Sequence, residues 1–225
     1  MMTLVAFSNE RLADAAALLA ARQRSDRRNN SLLPARFENV EHSARALDAL
    51  RRQRTGGIAA LDGDALRGYL IGKAGETALM GRTVWFTPES YALADAASPE
   101  LLRDLYAAQA EHWIDQGYFN HYVMAPADSP LLDVWLKLGF AYQQTYALMP
   151  LVAAEAAPAL AGVTFRAARP TDAPALAAMA HLTAGHQTHA PVFAPAPPDY
   201  VDELREGYAG LAQGKDGVAA WLALQ

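Results

Sequence analysis

The chain has 225 residues, 52% apolar and 19% charged, which suits a buried core and excludes disorder as the main state. It contains no cysteine, so disulfides, a thiolate nucleophile and cysteine-ligated zinc or iron–sulfur sites are excluded. The formal charge of −5 is unevenly spread: residues 1–55 hold ten arginines against six acids, and residues 56–225 nine bases against eighteen acids. Asp14 and Glu155 interrupt the two alanine–leucine stretches before either reaches the length of a membrane span. With no basic leader in Met1 to Leu4, a soluble cytoplasmic protein is expected.

Taken in chain order, Thr3 to Phe7 reads as a strand. A helix is expected from Glu10 to Arg22, with Leu12, Ala15, Ala16 and Leu19 on one face. A polar loop through Arg24, Arg27, Arg28, Asn29 and Asn30 follows. Asn39 then caps a second helix from Val40 to Arg54, whose basic last turn suits the negative end of the helix dipole. Asp62-Gly63-Asp64 between Ile58–Leu61 and Leu66–Ala74 is the clearest hairpin signal, because Asp-Gly supplies positive φ. Thr83 to Thr87 is a strand stopped by Pro88. Ser98-Pro99-Glu100 starts a helix that ends at Gly117. A strand from Phe119 to Ala125, a short helix from Ser129-Pro130 to Gly139 and an alternating strand from Phe140 to Met149 complete the series.

A constant offset of 160 residues aligns the start of the chain with its end. Thr3 to Phe7 falls opposite Val163 to Ala167, Asn39 opposite Asp199, and Gly57 to Leu61 opposite Gly217 to Trp221. Three regions are therefore expected: a domain over 1–150, an alanine-rich linker over 151–162, and a partial second copy over 163–225 that stops at Gln225 in or after its second strand. Its open strand, Val218 to Leu224, calls for cover by the first copy or another chain.

The order β-α-α-β-β-β-α-β-α-β gives an α/β protein with an antiparallel run between helices. Three stretches resemble the GNAT superfamily of acyl-CoA-dependent N-acetyltransferases: Asp62 to Ile71, Trp85-Phe86-Thr87-Pro88, and Asp128 to Phe140. The resemblance implies a mixed, largely antiparallel central sheet flanked by helices, followed here by a partial second copy. It implies transfer of an acetyl group from acetyl-CoA to an amine, of a small molecule or a peptide. By position, a backbone N–H at Phe86 would polarise the thioester. The loop at Ala94, Ala96 and Ser98 would take the CoA pyrophosphate at the N-terminus of the next helix.

The sequence departs from that pattern in three places. Alanine or serine replaces glycine in the loop, Asp95 adds an anion there, and Trp135 stands where many members have a tyrosine that protonates the thiolate. No catalytic residue is assigned. The alternative is a non-catalytic scaffold that supports a second, active domain. His181, His186 and His189 lie near one another, but Gly185 and Pro191 suggest a loop, so no metal site is expected. His112 and His121 read as packing or surface residues. Arginines 22, 24, 27, 28, 51, 52 and 54 lack interleaved aromatics and read as a solvated face rather than a nucleic-acid surface. A homo-oligomer covering the open C-terminal strand is the remaining partner expected.

Overall fold

The computed structural model describes residues 2–53, 55–150, 161–214 and 217–225. They belong to two compact units, Met1–Glu76 with Arg82–Leu151, and Thr77–Gly81 with Val152–Gln225. Apart from Ala161 and Gly162, the expected linker lies outside the described residues.

In the first unit, β1 (Met2–Ala6) leads through a 3-10 turn into α1 (Leu12–Asn29), and a second 3-10 turn leads into α2 (Val40–Arg51). Then come β2 (Thr55–Asp62), β3 (Ala65–Thr77), β4 (Gly81–Phe86), β5 (Tyr91–Leu93), α3 (Glu100–Asp115), β6 (Asn120–Val123) and α4 (Leu131–Lys137). The sheet runs β1-β2-β3-β4-β6, with β5 also on β3. β1–β2, β2–β3 and β3–β5 are antiparallel, and β4–β6 is parallel.

Local chemistry explains the turns and caps. Gly63 sits at φ 60° in the β2–β3 hairpin, as the Asp-Gly pair requires. Asn39 Oδ1 accepts from the amides of Glu41 at 2.7 Å and His42 at 3.3 Å, satisfying two donors that α2 leaves unpaired. Ser98 Oγ accepts from Glu100 N at 3.3 Å, and Gly117 closes the far end of α3 at φ 80°.

Both faces of the sheet are covered, so its strands alternate between two cores. Ala59, Tyr69 and Ile71 pack with Ala16 and Leu19 of α1 and Leu47 of α2. Ala60, Leu70, Val84 and Phe86 pack with Leu102 and Leu105 of α3 and Trp135 of α4. Gly72 lets the layers close: a Cβ there would stand 2.6 Å from Val84 Cγ1 and 3.0 Å from Trp113 Nε1.

Three expectations for this unit are corrected. α1 continues through Arg24, Arg27 and Arg28 to Asn29 instead of giving way to a loop after Arg22. Arginines favour helix, and Arg27 and Arg28 in the last turn suit its negative end. Second, Tyr91–Leu93 forms β5, so the stretch expected as loop from Leu93 onward opens on a strand residue. Third, Phe140 to Met149 alternates but forms no ladder with any described residue, and 141–150 are exposed. Alternation marks which side chains share a face; it does not supply a partner strand.

The second unit is smaller. β7 (Thr164–Ala167) pairs antiparallel with β8 (Trp221–Leu224), and α5 (Ala173–Gln187) and α6 (Pro198–Leu211) lie between them in sequence. His186 is therefore helical, not in a loop, because α5 runs past Gly185 to Gln187. Asp199 is a first-turn acid of α6, not its cap. Gly217 precedes β8 at φ 75° and is not a strand residue as Gly57 is.

Candidate active site

The central strand is interrupted. β4 pairs with β6 as far as Phe86 and Val123, and Met124 N donates to Phe86 O at 2.8 Å. The chain then leaves the sheet over Thr87–Ser90 and returns to β3 as β5. Pro88 suits such a break, since it has no N–H for a ladder.

Every carbonyl from Thr87 to Tyr91 has a donor. Ser90 N donates to Thr87 O at 2.9 Å, Tyr69 Oη to Glu89 O at 3.0 Å, and Ile71 N to Ser90 O at 2.7 Å. The Arg22 guanidinium of α1 donates to both Pro88 O and Tyr91 O. Thr87 N in turn donates to Ser90 Oγ at 2.8 Å. The break is a built feature with its backbone carbonyls satisfied.

The register fixes where Tyr91 points. Ile71 N to Ser90 O, and Ala94 N to Arg67 O at 2.9 Å, mark the bonded positions of the β3–β5 ladder. Tyr91, opposite Leu70, and Leu93, opposite Gly68, are then non-bonded positions, whose N–H and C=O face away from β3. Phe86 differs. Its carbonyl is held by Met124 N, and in extended backbone its N–H points the same way, toward β6.

Arg22 and Asp26 lie one helical turn apart and are both over 90% buried. Nε and Oδ2 are 3.2 Å apart, an ion pair without the alignment of a hydrogen bond. The guanidinium also lies 4.9 Å from the centre of the Tyr91 ring. Burial raises the Asp26 pKa, with Arg22 opposing the shift. Removing one member of such a pair strands a buried charge, typically at about 3–5 kcal/mol. The expectation of a solvated arginine face thus fails at Arg22. It holds at Arg52, which pairs with Asp48 on the surface of α2.

A groove of about 810 Å³ opens beside the break, lined in part by Arg22, Asp26, Trp85, Tyr106, His121 and Tyr122. Trp85 and Tyr122 stack with centroids 4.7 Å apart. His121 Nε2 lies 3.1 Å from Tyr118 O, which assigns the proton to Nε2 and makes Nδ1 the acceptor of the Tyr106 hydroxyl at 2.9 Å. Burial lowers the His121 pKa, against the Tyr118 carbonyl, so the ring is neutral at pH 7. Burial raises that of Tyr106. Sequence reading missed Arg22, Asp26 and the Tyr106–His121 pair; only the i, i+4 spacing of the first two was a signal.

The expected cofactor residues do not converge on the groove. Phe86 is fully buried against Trp135, with ring centroids 5.7 Å apart. Ala94 N is held by Arg67 O, and Ala94 O accepts from Ala97 N at 2.8 Å. Ala96 and Ser98 are exposed at the start of α3, with Asp95 beside them. The N–H of Tyr91 and both backbone groups of Leu93 face away from β3, Tyr91 O being held by Arg22, and α3 directs its positive end toward the loop at 95–98. Trp135 is fully buried, and its indole N–H lies beside the Tyr91 hydroxyl, which donates to Met124 O at 3.2 Å.

His181, His186 and His189 of the second unit are exposed, and His189 Nδ1 lies 3.0 Å from Gly185 O. Among the described residues no group of three metal-binding side chains forms, and no helix is long and apolar enough to cross a membrane.

No protein-family model matches the chain, and no curated protein matches it in sequence. Solved structures do match it in fold. A Pyrococcus furiosus protein described as an acetyl transferase is 13% identical, over 67% of this chain and 100% of that one, at a TM-score of 0.52. A predicted acetyltransferase with acetyl-CoA from Clostridium acetobutylicum is 11% identical, over 67% and 96%, at 0.51. A mutant of a Bacillus halodurans protein is 12% identical, over 67% and 99%, at 0.56. The chain has the mixed α/β fold of GNAT-type acetyltransferases, a largely antiparallel sheet flanked by helices.

Proposed function

We propose that the chain is a GNAT-type N-acyltransferase that moves an acetyl group from acetyl-CoA to an amine at the strand break of the first unit. The observation that carries this reading is the outward N–H of Tyr91, beyond the last β4–β6 bond, in a break whose Pro88 lines the groove. The acyl-CoA supplies the thioester, and the chain's part is placement. Tyr91 N–H, rather than Phe86, is the donor for the thioester carbonyl. The loop at Ala94, Ala96 and Ser98 takes the phosphates through the amides not already bonded. In the groove the Tyr106 hydroxyl, which donates to Nδ1 of neutral His121, relays the amine's proton: its oxygen takes that proton as its own passes to Nδ1, and CoA leaves as the thiolate, which takes a proton from water. The acceptor is a small-molecule or peptide amine, and the protein acts in the cytoplasm.

On the same reading, residues 163–225 are the opening part of a second GNAT-like domain, joined by a linker at 151–162. The supporting likeness is strand, 3-10 turn, helix, helix, antiparallel strand, with a further 3-10 turn between the helices of the first unit. Each pair also closes with one further bond, Phe7 N to Gly57 O and Ala168 N to Ala220 O, both 2.9 Å. The exposed pair β7–β8 is an edge that a second copy would cover.

The engaged amide of Ala94, the anion at Asp95 and the buried Trp135 favour a second reading, a non-catalytic scaffold domain. Calorimetric titration of the full chain with acetyl-CoA separates the two. Saturable heat, tightened by Ala94→Gly with Ala96→Gly, is the expected result. No heat from either protein at millimolar acetyl-CoA overturns the enzymatic reading.

A further inference from the structure

We infer that Arg22, held by Asp26, is the positioning residue that sets the strand break and aims the Tyr91 N–H. Arg22 is the only side chain among the described residues that binds two carbonyls of the 87–91 segment, and it takes the two that neither the backbone nor the Tyr69 hydroxyl satisfies. Pro88 O and Tyr91 O stand at the outer corner and the far end of the break. A single planar guanidinium spanning both fixes their separation, as a flexible ammonium does not.

Peptide planarity carries that hold to the amides. In a trans peptide the N–H points opposite to the C=O of the same unit, so fixing Pro88 O fixes Glu89 N–H. Tyr91 N–H belongs to the unit whose carbonyl is Ser90 O, held by Ile71 N from β3. The Tyr91 residue is therefore gripped on both sides, at Ser90 O by the sheet and at Tyr91 O by Arg22.

Asp26 and Tyr91 hold the guanidinium in turn. Asp26 lies one turn along α1 with Oδ2 3.2 Å from Nε, and the Tyr91 ring lies 4.9 Å beneath the guanidinium carbon. Burial leaves the guanidinium little rotational freedom, since Arg22 is 8% exposed and Asp26 7%. Partners 66 and 69 residues away explain why so costly a pair sits in the middle of a helix.

The inference rests on the proposed acyl transfer for its catalytic consequence, but its structural part is testable without substrate. Amide hydrogen exchange is followed by NMR on the full chain and on Arg22→Lys, Arg22→Met and Asp26→Asn. In Arg22→Met the amides of Glu89 and Tyr91 exchange at least tenfold faster, while those of α3 keep the wild-type rate. Arg22→Lys and Asp26→Asn fall between, and they decide the matter if Arg22→Met does not fold. Exchange unchanged at 87–91, or raised equally across the unit, overturns the inference. In a transfer assay the variants lose kcat about tenfold with the acceptor KM unchanged, and Arg22→Lys recovers part of it. A wild-type chain that transfers no acetyl group defeats the enzymatic reading and leaves the exchange result standing as the test of Arg22.

Discussion

β1-α1-α2-β2 and β7-α5-α6-β8 share an order of elements and an antiparallel strand pair, yet they differ in burial. β1 and β7 are both largely exposed, so the contrast lies in the second strand. Ala59 and Ala60 of β2 are fully buried, because β3 continues the sheet and helices cover both its faces. β8 pairs only with β7 among the described strands, and Trp221 within it is 70% exposed. The same local layout becomes a core only when further strands and helices are laid on it, since the stabilisation comes from apolar area removed from water.

The largest effect should come from the two tryptophans. Trp135 is fully buried among Phe86, Tyr91, Tyr106 and Phe140, and Trp135→Ala leaves a cavity worth about 3–5 kcal/mol. Trp221→Ala should stay within about 0.5 kcal/mol, as expected for an exposed side chain. Urea unfolding of the full chain measures both. A comparable loss from Trp221→Ala would show that β8 is covered in solution.

A smaller effect separates the starts of α2 and α6. Asn39→Ala removes the acceptor for two amides and should cost about 1 kcal/mol. Asp199, its match at the 160-residue offset, lies inside the first turn of α6, after a proline at the first position. Asp199→Ala then loses only a charge–dipole term, about 0.3–1 kcal/mol and screened by salt. Midpoints in 0.05 M and 0.5 M salt distinguish them: the Asn39 loss persists, and the Asp199 loss shrinks.

The parts legible in the sequence were those fixed by neighbours in the chain. Asp62-Gly63, Asn39 and Ser98-Pro99 dictate φ angles or caps within four residues, and the structure has them. The illegible parts depend on distant partners. Arg22 looked like one arginine among seven because the carbonyls it binds lie in a different segment. β5 is three residues long and exists only because β3 extends past the end of β4. Phe140 to Met149 has the period of a strand and finds no described partner. The pairing of β7 with β8 also shifts the gapless 160-residue match: Phe7 and Ala168 make equivalent closing bonds, but their acceptors are Gly57 and Ala220. Side-chain matching in alanine-rich strands cannot fix such a register.

The smallest predicted effect concerns the first helical turn after each opening strand. In the second unit Asp172 takes two bonds from the Arg166 guanidinium, at 2.7 and 2.8 Å, and one from Arg169 N at 2.8 Å. These bonds, that of Arg166 foremost, hold its carboxyl well below the ordinary aspartate value. In the first unit Ser8 makes no side-chain cap bond, and Arg11 reaches the hairpin at Asp64 O, 2.8 Å away. A carboxyl with a depressed folded pKa binds fewer protons folded than unfolded, so its contribution is complete above the unfolded value of 3.8 and is lost as pH falls through the folded one. Asp172→Asn should therefore lower the midpoint of the second unit at pH 7, and the gap from wild type should close between pH 4 and the acid limit of folding. Helix signals of α5 in a pH series report this. A gap that persists unchanged at pH 2 would mean that Asp172 acts through its shape in the turn and not through its charge.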